Sequence, residues 1–272
     1  MLASSLRRAA PHLHPVARAA SRTLSSAYKQ ATFVEPTLAE RLSWQHEDDA
    51  AGERRLGAGL YRSLATPRER ALSCQALARV YGALEGALDA VAESDKMFFG
   101  AGKVWRAHAP GLRRAGALQE AVDAARGGPI FSKETAAELE SDERLWSPAT
   151  RQWVRRVRAA AASDGDLLLG HLYAAHVYHS RLAAKVDYHG HERRLGFAST
   201  RASDPGAGAA ALAAFGDLTL ADAAQAGVVH EAKRSLSLQI ALYAEEAPGR
   251  YGVWRGAAAG AVRAGVARLT GA

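Results

Sequence analysis

The chain has 272 residues, 48% of them hydrophobic, and a formal net charge of +7. Its single cysteine, Cys74, excludes an internal disulfide. The longest uncharged run, residues 167–180, is shorter than the roughly 20 residues that a membrane-spanning helix needs. Alanine and arginine are abundant whereas β-branched and aromatic residues are scarce, which favours helices over sheets. The composition therefore predicts an all-α protein without a transmembrane segment.

The amino terminus has the composition of a mitochondrial transit peptide. Residues 1–24 contain four arginines, many serines and alanines, and no acid. We predict cleavage near Leu24 or Ser25 and an extended lead-in over residues 25–36; a basic disordered tail is the alternative. Losing the four arginines would lower the net charge from +7 to +3, so charge gives little reason to expect nucleic-acid binding. The expected location is the matrix or the matrix face of the inner membrane.

The next part of the chain predicts two helices that begin with capping residues. Thr37 can cap a first helix that extends to about Leu64. The second begins at Thr66, because Thr66-Pro67-Arg68-Glu69 forms a capping box with proline at the first helical position. Its apolar stripe consists of Leu77, Tyr81, Leu84, Leu88 and Val91.

Glycines and prolines divide the segment that follows. Gly100, Gly102 and Pro110 predict a loop over residues 93–111. A helix over residues 112–125 follows and ends at Gly127-Gly128-Pro129. Residues 133–144 form a further charged helical segment.

Residues 147–186 are predicted to form two consecutive helices around which the others pack. Ser147-Pro148 is a helix start, and Ser163-Asp164-Gly165 is a tight break. The helix that begins at Asp166 contains the uncharged run over residues 167–180. Because this run is apolar on nearly all sides, we expect a central helix packed by others.

The remainder of the chain predicts a connection and three helices. Residues 187–208 form a polar, glycine-containing connection, and residues 208–215 form a short alanine-rich helix. Thr219 or Asp222 opens the last long helix, which ends at Pro248-Gly249. The core stripe of this long helix consists of Val229, Ala232, Leu236, Ile240 and Tyr243.

The tail over residues 251–272 is predicted to be a docking helix. Gly252, Gly256 and Gly260 recur at four-residue spacing, which lets two helix backbones approach closely. A modest apolar stripe and an aromatic anchor accompany them: Val262, Val266, Leu269 and Trp254. The arginines of the tail suit an acidic partner or anionic lipid headgroups. A loosely ordered tail is the alternative.

Histidines are the main candidates for chemistry. His176 and His179 lie one turn apart, whereas His171 lies about two turns from His179, so the three cannot easily share one metal. His189, His191-Glu192 and His230-Glu231 add further potential ligands, but no helix carries the Glu-x-x-His pair of a di-iron bundle. Scattered hydrogen-bonded histidines are the simpler interpretation.

Several helices resemble, in order, those of the heme oxygenases. The helix after Thr66, with Leu77, Tyr81 and Leu84-Glu85, resembles that family's second helix. LRRAGALQEAV at 112–122 resembles its fourth, and SPATRQWVRRV with DLLLGHLYAAHVY resembles the pair that leads into its distal helix. EAKRSLSLQIALYAEE at 231–246 resembles its last core helix. The resemblance covers residues 37–247 and implies a heme oxygenase-like bundle of six to eight helices over residues 37–250.

The resemblance does not extend to the heme site. The family binds heme through a histidine on its first helix, and an alignment anchored on Leu60-Tyr61-Arg62 places Gly52 there. His46, six residues earlier, would lie about 240° around the same helix. The distal glycines of the family are replaced by bulkier residues within the segment 178–183. The basic pair that holds the heme propionates corresponds to the uncharged AALAAFG at residues 210–216.

Of the family's heme contacts the resemblance retains only Tyr173. It therefore implies a chain without catalytic, cofactor-binding or metal-binding residues. The favoured function is a non-enzymatic accessory subunit of a mitochondrial complex, such as a respiratory-chain complex, with protein subunits as partners and a peripheral contact with the inner membrane as an option. An active heme oxygenase or a metal-dependent oxidase of this fold is the rival, and a carrier of another small molecule is a third alternative.

Overall fold

Helices account for nearly all of the chain that a computed structural model describes, namely residues 35–47, 50–94, 99–126, 143–245 and 249–271. No strand occurs in these ranges, and residues from Thr37 onward form one unit. The all-α prediction is confirmed. The predicted transit peptide, residues 25–34 of the lead-in, the Gly127-Gly128-Pro129 break, the Pro248 stop and most of the charged segment 133–144 lie outside the described residues.

The structure divides the chain more finely than the predicted six to eight helices. In chain order the α-helices are α1 (Leu38–Glu47), α2 (Ala50–Ser63), α3 (Pro67–Glu93), α4 (Gly100–Leu112), α5 (Ala115–Arg126), α6 (Pro148–Ser163), α7 (Leu168–Leu172), α8 (His179–Lys185), α9 (Tyr188–Arg194), α10 (Ala207–Gly216), α11 (Asp222–Glu245) and α12 (Gly249–Thr270). A π-helix, Tyr173–Tyr178, joins α7 to α8. We call these three consecutive segments the central helix.

The capping signals read from the sequence start the helices as predicted. The Thr66 side chain accepts a hydrogen bond from the Glu69 backbone N–H at 3.1 Å, with Pro67 in the first turn of α3. The Ser147 hydroxyl accepts one from the Thr150 N–H at 3.3 Å at the start of α6. These side chains satisfy backbone donors that have no partner within the helix.

The predicted loop over residues 93–111 is wrong from Gly100 onward, where α4 forms. The Asp166 carboxylate, from the turn just before the central helix, accepts a hydrogen bond from the Ala101 N–H at 3.0 Å and caps α4. Gly102 permits a close crossing of α3, because a Cβ there would lie 3.1 Å from the Val91 carbonyl oxygen. Pro110 stands in the last turn, where losing one backbone donor does not prevent helix formation.

The predicted polar connection is likewise wrong over α9. Tyr188, His191 and Glu192 are buried there, and Arg70 of α3 forms an ion pair with Glu192 and donates a hydrogen bond to the Tyr188 hydroxyl at 2.7 Å. This segment is polar in sequence because its side chains meet a buried partner more than a hundred residues away. Asp187 begins the turn into α9 at φ 49°, a left-handed conformation that aspartate tolerates.

The central helix lies in the middle of the packed helices. Helices α4, α5 and α6 pack on α3, while α11 packs on α2, α6 and the central helix, and α12 packs on α2. Four of the five residues predicted as the α11 core stripe are buried; the exception is Ile240, which is half-buried. The alanine-rich helix predicted at 208–215 corresponds to α10.

Candidate functional site

The first two segments of the central helix, α7 and the π-helix, are enclosed on every side. All side chains over residues 168–179 are buried, which confirms that this uncharged run packs as an interior helix. Its π-helical turn was not predicted, and such turns widen the helix and occur frequently at functional sites. The Ala175 carbonyl within it accepts a hydrogen bond from the Tyr81 hydroxyl of α3. The three buried histidines of the central helix are therefore the first candidates for chemistry.

His176, inside the π-helix, is held as a neutral ring. Its Nδ1 lies 2.9 Å from the Leu112 carbonyl oxygen, so Nδ1 carries the proton and donates. Tyr81 packs against the ring edge-on, with ring centroids 4.9 Å apart. Burial, together with the positive charge of nearby Arg114, lowers the pKa of His176 to about 3.

His171, one turn earlier, belongs to a buried acid–base chain. The Trp153 Nε1–H donates to its Nδ1 at 3.4 Å, and its Nε2 lies 3.4 Å from the Glu231 carboxylate. Arg156 of α6 holds the same carboxylate with two hydrogen bonds. Burial opposes ionisation of Glu231, but these hydrogen bonds and the Arg156 charge outweigh it and lower the pKa of Glu231 to about 2. The chain joins α6, the central helix and α11.

His179 is paired with the last long helix. Gln239 of α11 donates from its amide to the His179 Nδ1 at 2.8 Å. Burial lowers the pKa of His179 well below its ordinary value, so the ring is neutral at physiological pH. The three histidines thus contact different partner residues, and none of those partners is shared by two of them.

No group of three or more His, Cys, Asp or Glu side chains that could hold a metal ion occurs among the residues the structure describes. The remaining predicted ligands are dispersed. His230 is exposed on α11 while its neighbour Glu231 points into the interior. His189 and Glu192 do meet, with Nδ1 and a carboxylate oxygen 2.6 Å apart. His46 lies in α1, whereas Gly52 lies in α2. The predicted angle of about 240° between them assumed one shared helix and therefore does not apply.

A second buried network surrounds Glu192. Its carboxylate accepts hydrogen bonds from Arg70, His189 and the Thr200 hydroxyl, the last at 2.7 Å. Burial opposes ionisation, yet these partners lower the pKa of Glu192. Arg70 and Thr200 were not identified from the sequence, since an arginine in the first turn of a helix and a threonine in a loop carry no signal of their own.

A third network, also missed from the sequence, joins α3 to the start of α5. The Glu85 carboxylate accepts hydrogen bonds from the Arg114 and Ala115 backbone N–H groups at 2.8 and 3.1 Å. The Arg114 guanidinium donates to the Tyr81 hydroxyl at 2.9 Å. An acid next to the otherwise apolar α3 stripe is the one local sign of this network.

The region between α2 and the central helix is closely bridged. The Tyr61 hydroxyl donates to the Val186 carbonyl at 3.2 Å, and Lys185 pairs with Glu53. The Tyr243 side chain of α11 packs on Gly59, where a Cβ would lie 2.6 Å from the tyrosine Cβ. Gly52, the position aligned with the family's heme ligand, is buried in α2.

The predicted docking helix, α12, presents two different faces. Its glycines Gly256 and Gly260 face α2 of the same chain: a Cβ on Gly260 would lie 1.7 Å from the Tyr61 carbonyl oxygen. The opposite face carries four large hydrophobic residues that are exposed: Trp254, Val262, Val266 and Leu269. The glycine edge therefore serves packing within the chain, which leaves the apolar row on the outside.

Structural comparison identifies the fold. The heme oxygenase 2 structure from Chlamydomonas reinhardtii without heme superposes with a TM-score of 0.64 at 18% identity, over 76% of this chain and 96% of that chain. Heme oxygenase-2 from Synechocystis sp. PCC 6803, in complex with heme and NO, gives 0.60 at 17% identity over 78% and 85% of the two chains. Heme oxygenase from Leptospira interrogans gives 0.56 at 18% identity over 76% and 98%.

The protein therefore has a heme oxygenase-like fold, as the order of its helices predicted. No family model and no curated protein matches the sequence. None of the described helices is both long and apolar enough to cross a membrane.

Proposed function

We propose that this protein is a non-enzymatic heme oxygenase-like subunit of a larger mitochondrial assembly, which it joins through the outer face of α12. The observation that carries the proposal is the exposed apolar row of that helix. Leu269 and Val262 are 88% and 67% exposed, and Trp254 is 58% exposed. Contiguous apolar surface of this kind typically marks an interaction site.

The charge of α12 indicates what kind of surface it fits. Residues 249–272 contain four arginines and no acid, and Arg255 and Arg268 are exposed on this helix. We therefore expect a protein partner with an apolar groove and an acidic rim. Buried aromatic anchors contribute strongly to interface energies, which gives Trp254 the central role.

The proposed absence of heme chemistry is supported by the residues around α2. The helix contains no histidine, and Gly52 stands where the family's ligand aligns. Tyr243 fills the space over Gly59, while the buried Leu182 and Ala183 replace two of the family's distal glycines. These residues do not fit a heme held between α2 and the central helix.

Adding hemin to the purified protein distinguishes this proposal from the rival, an active heme oxygenase. The proposal predicts no Soret band from one bound heme per chain and no conversion to biliverdin. Stoichiometric heme with turnover would reject it. Gly52→His alone should also fail to bind heme tightly, since the distal residues and Tyr243 are unchanged; high-affinity one-to-one binding would show that the distal side accepts heme.

Docking is tested by blue-native electrophoresis of mitochondria isolated from cells that express the full-length chain. The wild-type protein should migrate in a large complex, and Val262→Asp with Leu269→Asp should release it, because charges would replace the apolar row. Ala223→Glu, an exposed position on α11, is the matched control and should remain in the complex. If the double variant still co-migrates with the complex, α12 is not the docking surface. Binding of the pure protein to anionic vesicles, lost in the double variant, would assign the row to lipid instead.

A further inference from the structure

A pocket of about 470 Å³ is lined by α8, α9 and residues 199–205. Its volume lies within the range of small-molecule sites. Side chains that can bind an anion dominate its polar lining: Arg193, Arg201, His189, Ser180 and Ser199. None of the residues that line it comes from α2.

The arginines of this pocket are available to a ligand, whereas its acids are engaged. Within the described ranges, neither the Arg193 nor the Arg201 guanidinium forms an ion pair or hydrogen bond, and both residues are exposed. Asp187 pairs with Arg194, which lowers the pKa of Asp187. Asp204 accepts a hydrogen bond from the Gly206 N–H at 2.7 Å. Two uncommitted cations therefore remain at the pocket.

The imidazole of His189 is positioned by a buried carboxylate. Glu192, fully buried, is held as an anion by Arg70 and Thr200 and can only accept hydrogen bonds. Because its oxygen lies 2.6 Å from the His189 Nδ1, that nitrogen carries the proton. With this proton committed to Glu192, the Arg193 and Arg201 guanidiniums are the charged donors left for a ligand, beside a His189 side chain that is 17% exposed.

We infer that this pocket binds a small organic oxyanion, a carboxylate or phosphate compound, through the Arg193 and Arg201 guanidiniums. Guanidinium groups suit such ligands because their N–H donors match the spacing of carboxylate and phosphate oxygens. The inference is independent of how the protein joins an assembly and of whether it binds heme.

The test is isothermal titration calorimetry of the purified full-length chain with succinate and, separately, with inorganic phosphate. The probe that binds with the higher affinity shows whether the site prefers a carboxylate or a phosphate. Saturable one-to-one binding is expected for at least one. Arg193→Gln and Arg201→Gln should each weaken it by about fivefold to tenfold, as loss of a charge-assisted hydrogen bond does.

Arg234→Gln is the matched control, since Arg234 is an exposed arginine of α11 outside the pocket. It should bind like the wild type. Thermal melts of the three arginine variants should coincide with that of the wild type, because Arg193, Arg201 and Arg234 are exposed. The inference is overturned if neither probe binds at millimolar concentration, if the pocket variants bind as tightly as the wild type, or if Arg234→Gln loses as much affinity as they do.

Discussion

Replacing Gly260 by alanine tests whether α12 belongs to the packed domain. The added Cβ would lie 1.7 Å from the Tyr61 carbonyl oxygen, whereas ordinary van der Waals contact begins near 3.4 Å. Because the obstacle is backbone in the last turn of α2, it cannot rotate away as a side chain could, and the two helices must separate by about 1.7 Å. Overpacking of this kind costs about 1–3 kcal/mol, which exceeds the gain of roughly 0.5–1 kcal/mol from exchanging glycine for alanine in a helix.

Gly265→Ala on the same helix is the matched control. Nothing lies within 4 Å of a Cβ at Gly265, so the same exchange should stabilise the protein by about 0.5–1 kcal/mol. Urea denaturation followed by circular dichroism measures both changes in the free energy of unfolding. Limited trypsin digestion, which would cut at Arg255 and Arg263 in a detached helix, shows whether α12 alone separates.

The two variants should therefore move in opposite directions. If Gly260→Ala is as stable as Gly265→Ala and equally resistant to trypsin, α12 does not pack on α2. The glycine edge would then be free for a partner, and the outer apolar row would lose its role in the proposed docking.

Three further tests concern the core, a helix cap and a buried ion pair. Leu236→Ala should destabilise the protein by about 2–4 kcal/mol in urea denaturation, and Ile240→Ala by about half as much, because Leu236 is buried and Ile240 half-buried; equal losses would contradict this packing. Thr66→Ala should cost about 1 kcal/mol through loss of the α3 cap, and Thr66→Ser should restore most of it. The pKa of Glu231, about 2, lies below its ordinary value, so its contribution is complete above about pH 5 and is lost as the pH falls toward 2. Between pH 5 and pH 3 the free energy of unfolding should therefore fall by about 1–2 kcal/mol less in Glu231→Gln than in the wild type. An equal fall in both proteins would show that the ion pair does not form.

The sequence alone determined the fold class and most helix boundaries. Helix starts at Thr66 and Ser147 are local signals, because a side chain within three residues caps each one. The uncharged run at 167–180 likewise required an interior position, since no face of that helix could be exposed to water without cost. The order of helix motifs was sufficient to predict the heme oxygenase-like fold.

The tertiary structure decided what depends on distant partners. Helix α4 forms because Asp166 caps it, and α9 forms because Arg70 neutralises Glu192 inside the protein; neither partner can be recognised from local spacing. The Gly256 and Gly260 edge of α12 was evident in the sequence, but only the fold shows that α2 occupies it. A short polar stretch or a small-residue edge leaves its environment undetermined. The pocket beside His189 likewise depends on how α8, α9 and residues 199–205 fold against one another, which their local sequence does not state.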